Sequence, residues 1–136
     1  MKILIDTNIL LYALDSHSKF HKTSRNILEN KSYRLYISTK NIAEVLAVSS
    51  KMGLDKSHIV SYLTEDILPV CTLIYPNRKS FQVFLKIISD YEIKGNKVFD
   101  MEIASMMLAN KIYMPASFNY NDFENVKEIN ILDECR

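Results

Sequence analysis

The chain has 136 residues, 48% of them hydrophobic and 24% charged, which is a typical composition for one globular domain. Its formal net charge is only +1, so no strongly basic field indicates tight nonspecific binding of nucleic acid. No stretch approaches the roughly 20 apolar residues of a membrane span. No targeting segment is apparent either, so we expect a single domain over residues 1–136 that resides in the cytoplasm.

Strand and helix patterns alternate along the chain. The first apolar run predicts a strand that ends at Ile5 and a helix that starts at Thr7 or Asn8. Further strands are predicted at Tyr33–Ile37, Val70–Tyr75, Lys111–Ala116 and Ile129–Leu132. Further helices are predicted at Phe20–Asn30, Lys40–Met52, Lys56–Leu68, Arg78–Tyr91 and from about Phe99 to Asn110. This alternation favours a three-layer α/β/α fold with a mostly parallel sheet of about five strands, because parallel neighbours need helical crossovers.

Asp6 interrupts the first apolar stretch where the strand is predicted to end. Ligands of open α/β sheets bind outside the carboxyl ends of the strands, so Asp6 is a candidate site residue. Aspartate and threonine also cap helices, and a cap formed by Asp6 or Thr7 explains this stretch equally simply. Two cysteines, Cys71 and Cys135, form no CxxC pair and indicate reduced structural thiols rather than a zinc site.

Glu44 is the one charged residue in the apolar segment Ile42–Val48. A helix that is apolar nearly all round is predicted to be buried. A carboxylate there must be paired, hydrogen-bonded or bound to a metal. The sequence leaves two interpretations open, which are an ion pair with a distant lysine or arginine and a metal site.

Asp100 lies in the first turn of another apolar helix, where an acidic residue often caps or complements the helix dipole. The small residues Ala104 and Ser105 follow one turn later and leave room beside it. Glu102 is predicted to point elsewhere, since two residues are about 200° apart around a helix. The polar segment Ser117–Phe123 follows a predicted strand and is typical of a turn.

Three carboxylates therefore interrupt apolar segments, and a parallel sheet would bring them to one edge. Carboxylates at close quarters repel one another, and a hard cation such as Mg²⁺ or Mn²⁺ removes that cost. Such sites activate water and bind phosphate oxygens. Two glycines in the whole chain exclude a glycine-rich phosphate loop.

Taken in order, these segments resemble the motifs of the PIN-domain ribonucleases, in particular the VapC-like toxins of toxin–antitoxin pairs. Ile5–Asn8 resembles the first motif, Asn41–Val45 the second, and Lys97–Ala104 the third. Ser117–Asn119 followed by Asp122 and Phe123 is similar to the last. The order, the spacing and the length all agree, so the resemblance covers essentially the whole chain.

The resemblance implies a divalent-metal endonuclease that cuts RNA and often forms homodimers, and a small antitoxin that silences it. By position, Asp6, Glu44 and Asp100 would hold Mg²⁺ or Mn²⁺. Asn119 stands at the fourth acidic position, and Asp122, three residues on, would compensate for its missing charge. Candidates for substrate contact are Thr7, Asn8, Ser117, Lys40, Lys94 and Lys97.

Asn119 and the low net charge favour a second interpretation, which is a catalytically weakened module that binds RNA or a protein without cutting. A phosphatase-like enzyme with Asp6 as nucleophile is disfavoured, because Asn8 stands where the acid/base partner would be needed. For a homodimer, we consider an interface at Lys111–Ala116 and the apolar residues of the last long helix (Met101, Met106, Met107 and Leu108), although methionines at helical spacing are more often core.

Overall fold

The computed structural model describes residues 1–136 and contains one sheet of four parallel strands. The strands are β1 (Lys2–Ile5), β2 (Arg34–Ser38), β3 (Cys71–Ile74) and β4 (Pro115–Ala116). Their order is β3-β2-β1-β4. Each connection between strands contains helices, so the predicted α/β fold with a parallel sheet is confirmed.

The helices begin and end close to the predicted positions. They are α1 (Thr7–Leu14), α2 (His21–Glu29), α3 (Thr39–Lys51), α4 (Lys56–Ser61), α5 (Arg78–Asp90) and α6 (Lys97–Ala109). The predicted helix Lys56–Leu68 is α4 followed by a π-helical segment, Tyr62–Ile67. Two 3-10 turns lie near the C-terminus, Tyr120–Asp122 in the polar segment and Asp133–Cys135 after it. Every helix is too short or too polar to cross a membrane.

The predicted fifth strand, Ile129–Leu132, is wrong, and the strand predicted at Lys111–Ala116 is reduced to two residues. Backbone N–H groups of residues 130 and 132 do donate to the carbonyls of Tyr113 (2.9 Å) and Pro115 (3.0 Å). A parallel ladder needs a reciprocal bond from the N–H of residue 115, which a proline lacks. The segment therefore lies beside β4 with only half of a ladder.

Helix α3 is not buried all round, which corrects the expectation from its apolar sequence. Its buried residues are Asn41, Val45 and Ser49, spaced four apart on one side of the helix. Leu46 and Val48, on other sides, are 36% and 37% exposed. The proposed methionine interface is also wrong, because Met101, Met106 and Met107 are core residues.

The carboxyl edge of the sheet gathers the segments that were singled out in the sequence. The backbone N–H of Asp6, directly after β1, donates to the carbonyl of Ala116 at the end of β4 (3.1 Å). Strand β2 leads without a loop into α3, and Ser38 caps that helix. β1 anchors this edge, since Ile3, Leu4 and Ile5 are fully buried.

Candidate active site

Asp6 is buried, with 5% of its surface exposed, and its carboxylate accepts hydrogen bonds from three segments. Oδ1 accepts from the backbone N–H of Thr7 (2.9 Å) and from Asn41 Nδ2 (3.2 Å), and Oδ2 accepts from Ser117 Oγ (2.6 Å). Burial raises the pKa of Asp6, while the bonds from Ser117 and Thr7 lower it. Asp6 does cap α1, as the simpler interpretation held, and Asn8 Nδ2 of that helix lies 3.5 Å from its Oδ2. The bonds from Asn41 and Ser117 come from distant parts of the chain.

Asn41 was not identified as a site residue from the sequence, although it connects two of the acids. It is fully buried and forms a reciprocal capping box with Ser38 at the start of α3. Its Nδ2 also lies 3.3 Å from Thr7 Oγ1, and that hydroxyl donates to Glu44 Oε2 at 2.8 Å. The one available signal was an amide at the third position after a serine cap. Its contacts with the distant Asp6 and Thr7 left no trace in the sequence.

Glu44 is half-buried and is not the buried ion pair that the sequence left open. Burial raises the pKa of Glu44, the hydrogen bond from Thr7 lowers it, and the charge of Asp6 raises it. Lys40 lowers it further from a distance, but its Nζ pairs with Glu102, 3.2 Å away, rather than with Glu44. Glu102 is thus engaged with Lys40, and it is not among the charges that shift the pKa values of Asp6, Glu44 and Asp100.

Asp100 caps nothing, because α6 begins three residues earlier, at Lys97, and has no side-chain cap. Its half-buried carboxylate accepts no hydrogen bond. Burial and then the negative charges of Asp122, Asp6 and Glu44 raise the pKa of Asp100 to about 7. An acid whose pKa is raised this far by its neighbours is typical of a functional site.

Asp122 joins the same acids from the 3-10 turn after β4. It is half-buried, and burial raises its pKa while the charge of Lys97 lowers it and that of Glu44 raises it. The side chain of Asn119 instead faces solvent, and only its backbone N–H reaches the network, donating to Ser117 Oγ at 3.1 Å. At this edge the fourth negative charge therefore comes from Asp122, and Asn119 contributes none.

Asp6, Glu44, Asp100 and Asp122 offer oxygen ligands only, which is the set that Mg²⁺ and Mn²⁺ prefer. As the side chains stand, no three acidic, histidine or cysteine groups are arranged so that they could enclose an ion. The carboxylates of Asp100 and Asp122 have no hydrogen-bond partner to leave, so a cation that relieves the repulsion could draw them together. The donor chemistry therefore fits a hard divalent cation.

Asn8 and Ser117, both predicted to contact substrate, are engaged inside the protein. Asn8 Nδ2 donates to Ser117 Oγ (3.1 Å), and Asn8 Oδ1 accepts from the backbone N–H of Phe118 (3.2 Å). The Ser117 hydroxyl uses its one proton on Asp6 and both lone pairs on Asn8 and Asn119. These residues position the acid and join the end of β4 to α1.

Each lysine predicted to contact phosphate lies within reach of a glutamate. The pairs are Lys40 with Glu102 (3.2 Å), Lys97 with Glu124 (3.2 Å) and Lys94 with Glu92 (3.3 Å). The Lys94 pair is almost fully exposed, so water screens it strongly. Lys97 is the lysine whose charge acts on both Asp100 and Asp122.

Comparisons with known proteins agree with this architecture. No curated protein matches the sequence. Among solved structures, VapBC2 from Rickettsia felis bound to a promoter DNA fragment matches with a TM-score of 0.75 and 24% identity, covering 97% of this chain and 98% of that one. DNA-bound VapBC from Salmonella typhimurium gives 0.73 and 20%, covering 99% of both chains.

A third solved structure is VapC20 of Mycobacterium tuberculosis, described as a toxin that cleaves the sarcin-ricin loop. It has a TM-score of 0.72 and 11% identity, and the match covers 90% of this chain and 93% of that one. These likenesses establish the fold that the sequence motifs predicted. The model of the PIN domain family matches residues 3–128, nearly the whole chain, and the protein therefore belongs to the PIN domain family.

Proposed function

We propose that this protein is a divalent-metal-dependent endoribonuclease that acts as the toxin of a toxin–antitoxin pair. The observation that supports it most directly is the state of Asp100, a half-buried acid without a hydrogen bond whose pKa is raised to about 7 by burial and three neighbouring carboxylates. An apolar core residue or a simple cap would serve the fold better at that position. A site for a cation and a phosphate explains why the acids are kept together.

Asp6, Glu44 and Asp100 would hold Mg²⁺ or Mn²⁺, and Asp122 faces them from the turn after β4. When bound, the cation would lower the pKa of a coordinated water and offset negative charge on the phosphate oxygens. Asp6 is kept in place by Thr7, Asn41 and Ser117. Its fixed orientation supports a role as the ligand around which the other acids adjust.

Glu44 and Asp100 are suited to proton transfer as well as to ligation. Burial and neighbouring carboxylates raise the pKa values of both acids toward neutral pH, where they can accept and release a proton. Thr7 donates to one oxygen of Glu44 and leaves the other free to orient a water. The proposed reaction is attack of water on an RNA phosphodiester, with the acids positioning the water and accepting its proton. One P–O bond to a ribose oxygen breaks, and that oxygen leaves as a hydroxyl after it takes up a proton.

The test is cleavage of an end-labelled single-stranded RNA with Mg²⁺ or Mn²⁺ by the wild type, Asp6→Asn and Asp100→Asn. We expect cutting by the wild type, loss of at least about 100-fold in each variant, and loss on chelation of the metal. Asp90→Asn is the matched control. This exposed acid ends α5, pairs with Lys86, and is not among the charges that shift the pKa values of the four acids.

The same experiment separates this proposal from the weakened binding module that Asn119 and the low net charge favour. A wild type that binds RNA but cuts neither single-stranded nor hairpin RNA, and that binds no Mn²⁺ in calorimetry, would replace the nuclease with the module. Metal-dependent cutting that persists in Asp6→Asn would refute the site rather than the activity.

We further propose a small antitoxin as partner and a homodimer as the assembled state. The structures from Rickettsia felis and Salmonella typhimurium are described as VapBC2 and VapBC bound to DNA, which supports a partner protein. A cluster of repelling carboxylates is a suitable target for an arginine of an inhibitor. For the dimer, α3, α4 and the loop between them expose Leu46, Val60 and Leu54 beside one another. Sedimentation should show a dimer at micromolar concentration that Leu46→Glu dissociates, and a wild-type monomer would refute it.

A further inference from the structure

Phe99 exposes its ring at the rim of the acid cluster. It directly precedes Asp100 in the first turn of α6, and 49% of its surface is exposed. Single exposed apolar residues are common and need no explanation by themselves. Phe99, however, lies next to Asp100, the acid that accepts no hydrogen bond, and this position suggests a function.

Lys40 fixes the orientation of this ring. Its Nζ, from the first turn of α3, lies 4.5 Å from the centre of the Phe99 ring and 3.2 Å from Glu102 Oε1. A cation over an aromatic face is favourable, and the ion pair with Glu102 keeps the ammonium there. Lys40 lies over the ring, and about half of the Phe99 surface remains exposed beside it.

The space beyond Phe99 is also open. Glu102 lines a cavity of about 220 Å³ between α5 and α6, together with Phe81, Phe84 and Met106. Pro76, which follows β3, closes its end and places it along the same carboxyl edge as the acids. An RNA strand bound at the acid cluster would therefore have an exposed aromatic ring and a partly apolar recess close by.

We propose that Phe99 is a stacking platform for one unpaired base beside the phosphate that is cut, with Lys40 holding the ring from behind. The inference rests on the proposed ribonuclease function and adds a substrate preference to it. Aromatic rings stack on any base, because every base has a π face. The platform therefore favours RNA with unpaired bases, in a loop or a single strand, over a continuous duplex.

The first test asks whether the effect of removing the Phe99 ring depends on the presence of one particular base. Kinetics of cleavage are measured for the wild type, Phe99→Leu and Phe99→Tyr on one RNA and on a set of copies, each with a single abasic site near the cut. Loss of stacking should lower kcat/KM about 5- to 100-fold for Phe99→Leu, while Phe99→Tyr keeps most of the activity. One abasic position should cost the wild type a similar factor and cost Phe99→Leu almost nothing.

Tyr113→Leu is the matched control, since Tyr113 is 48% exposed and lies on the amino-terminal side of β4, away from the acids. It should cut every RNA as the wild type does. Equal sensitivity of the wild type and Phe99→Leu to every abasic position would overturn the platform. In that case the wild type still cuts, so the proposed function survives.

A second measurement does not depend on cutting. The chain contains no tryptophan, so Phe99→Trp carries a single tryptophan, at the proposed platform. In the Asp100→Asn background, single-stranded RNA should quench this fluorescence, and the copy that is abasic at the sensitive position should not. Tyr113→Trp should stay unquenched. RNA that binds, as judged by anisotropy, without quenching at Phe99→Trp would refute the platform. Failure of the wild type to cut any RNA in the first test would refute the proposed ribonuclease instead.

Discussion

Replacing Asp100 with asparagine should stabilise the metal-free protein above neutral pH. The pKa of Asp100 is raised from 3.8 in the unfolded chain to about 7 in the folded protein, by burial and by the charges of Asp122, Asp6 and Glu44. Between these two pH values the folded state binds more protons than the unfolded state, so stability falls as the pH rises. Above about pH 7 the whole cost of the charged side chain is present, and the neutral amide of the variant would be free of it.

The size of this effect follows from the shift of about 3 pKa units. At about 1.4 kcal/mol per unit, the upper limit is about 4 kcal/mol. The carboxylate is only half-buried, and solvent screens the repulsion, so we expect about 1 to 2 kcal/mol at pH 8. For a chain of this length that corresponds to an increase in Tm of roughly 4 to 8 °C. At pH 4 both side chains are nearly uncharged, and the two proteins should melt together.

The assay is urea unfolding of the wild type and Asp100→Asn at pH 4 and pH 8 with chelator present. Asp90→Asn serves as the control for a change of charge on an exposed helix end, and it should shift stability by less than about 0.5 kcal/mol. A variant that is less stable than the wild type at pH 8, or equally more stable at both pH values, would refute the repulsion argument. Millimolar Mn²⁺ should then stabilise the wild type and leave the variant unchanged.

Three further predictions follow from the contacts of Asp6 and the turn after β4. Ser117→Ala removes the 2.6 Å bond that lowers the pKa of Asp6, so the pH profile of cleavage should move to higher pH. Asn41→Ala breaks the capping box with Ser38 and one bond to Asp6, and urea unfolding should show a loss of about 2 to 3 kcal/mol. Asn119→Asp adds a carboxylate beside the site, and calorimetry should show tighter Mn²⁺ binding, whereas unchanged binding would mean that this side chain stays in solvent.

The fold was predicted from two local patterns, the spacing of apolar residues and the residues that cap helices. The boundary between β1 and α1 was predicted because the apolar period changes at Asp6, and it is confirmed. Parallel strands place their carboxyl ends at one edge, so the meeting of Asp6, Glu44 and Asp100 followed from the predicted topology without any distance information. These steps need only neighbours in sequence and the geometry of a sheet.

The features that the sequence did not show depend on contacts between distant segments. Nothing near Asn41 indicates that it bonds to Asp6, 35 residues earlier. The apolar sequence of α3 predicted burial, but the helix meets the core on one side only, so Leu46 is left at the surface. The missing fifth strand was readable in principle, because Pro115 cannot supply the N–H that its ladder needs.

The acids of this site differ in how they are held, and that difference bears on how a cation would be bound. Asp6 has four hydrogen-bond donors and almost no exposed surface, so its orientation is fixed before any ligand arrives, while burial keeps its pKa raised. Asp100 has none and a pKa near 7, so at neutral pH it exchanges its proton readily. A cation that binds here replaces that proton, and its apparent affinity should rise with pH through the range of the Asp100 pKa. Binding of Mn²⁺ that is equally tight at pH 6 and pH 8 would show that Asp100 is not a ligand.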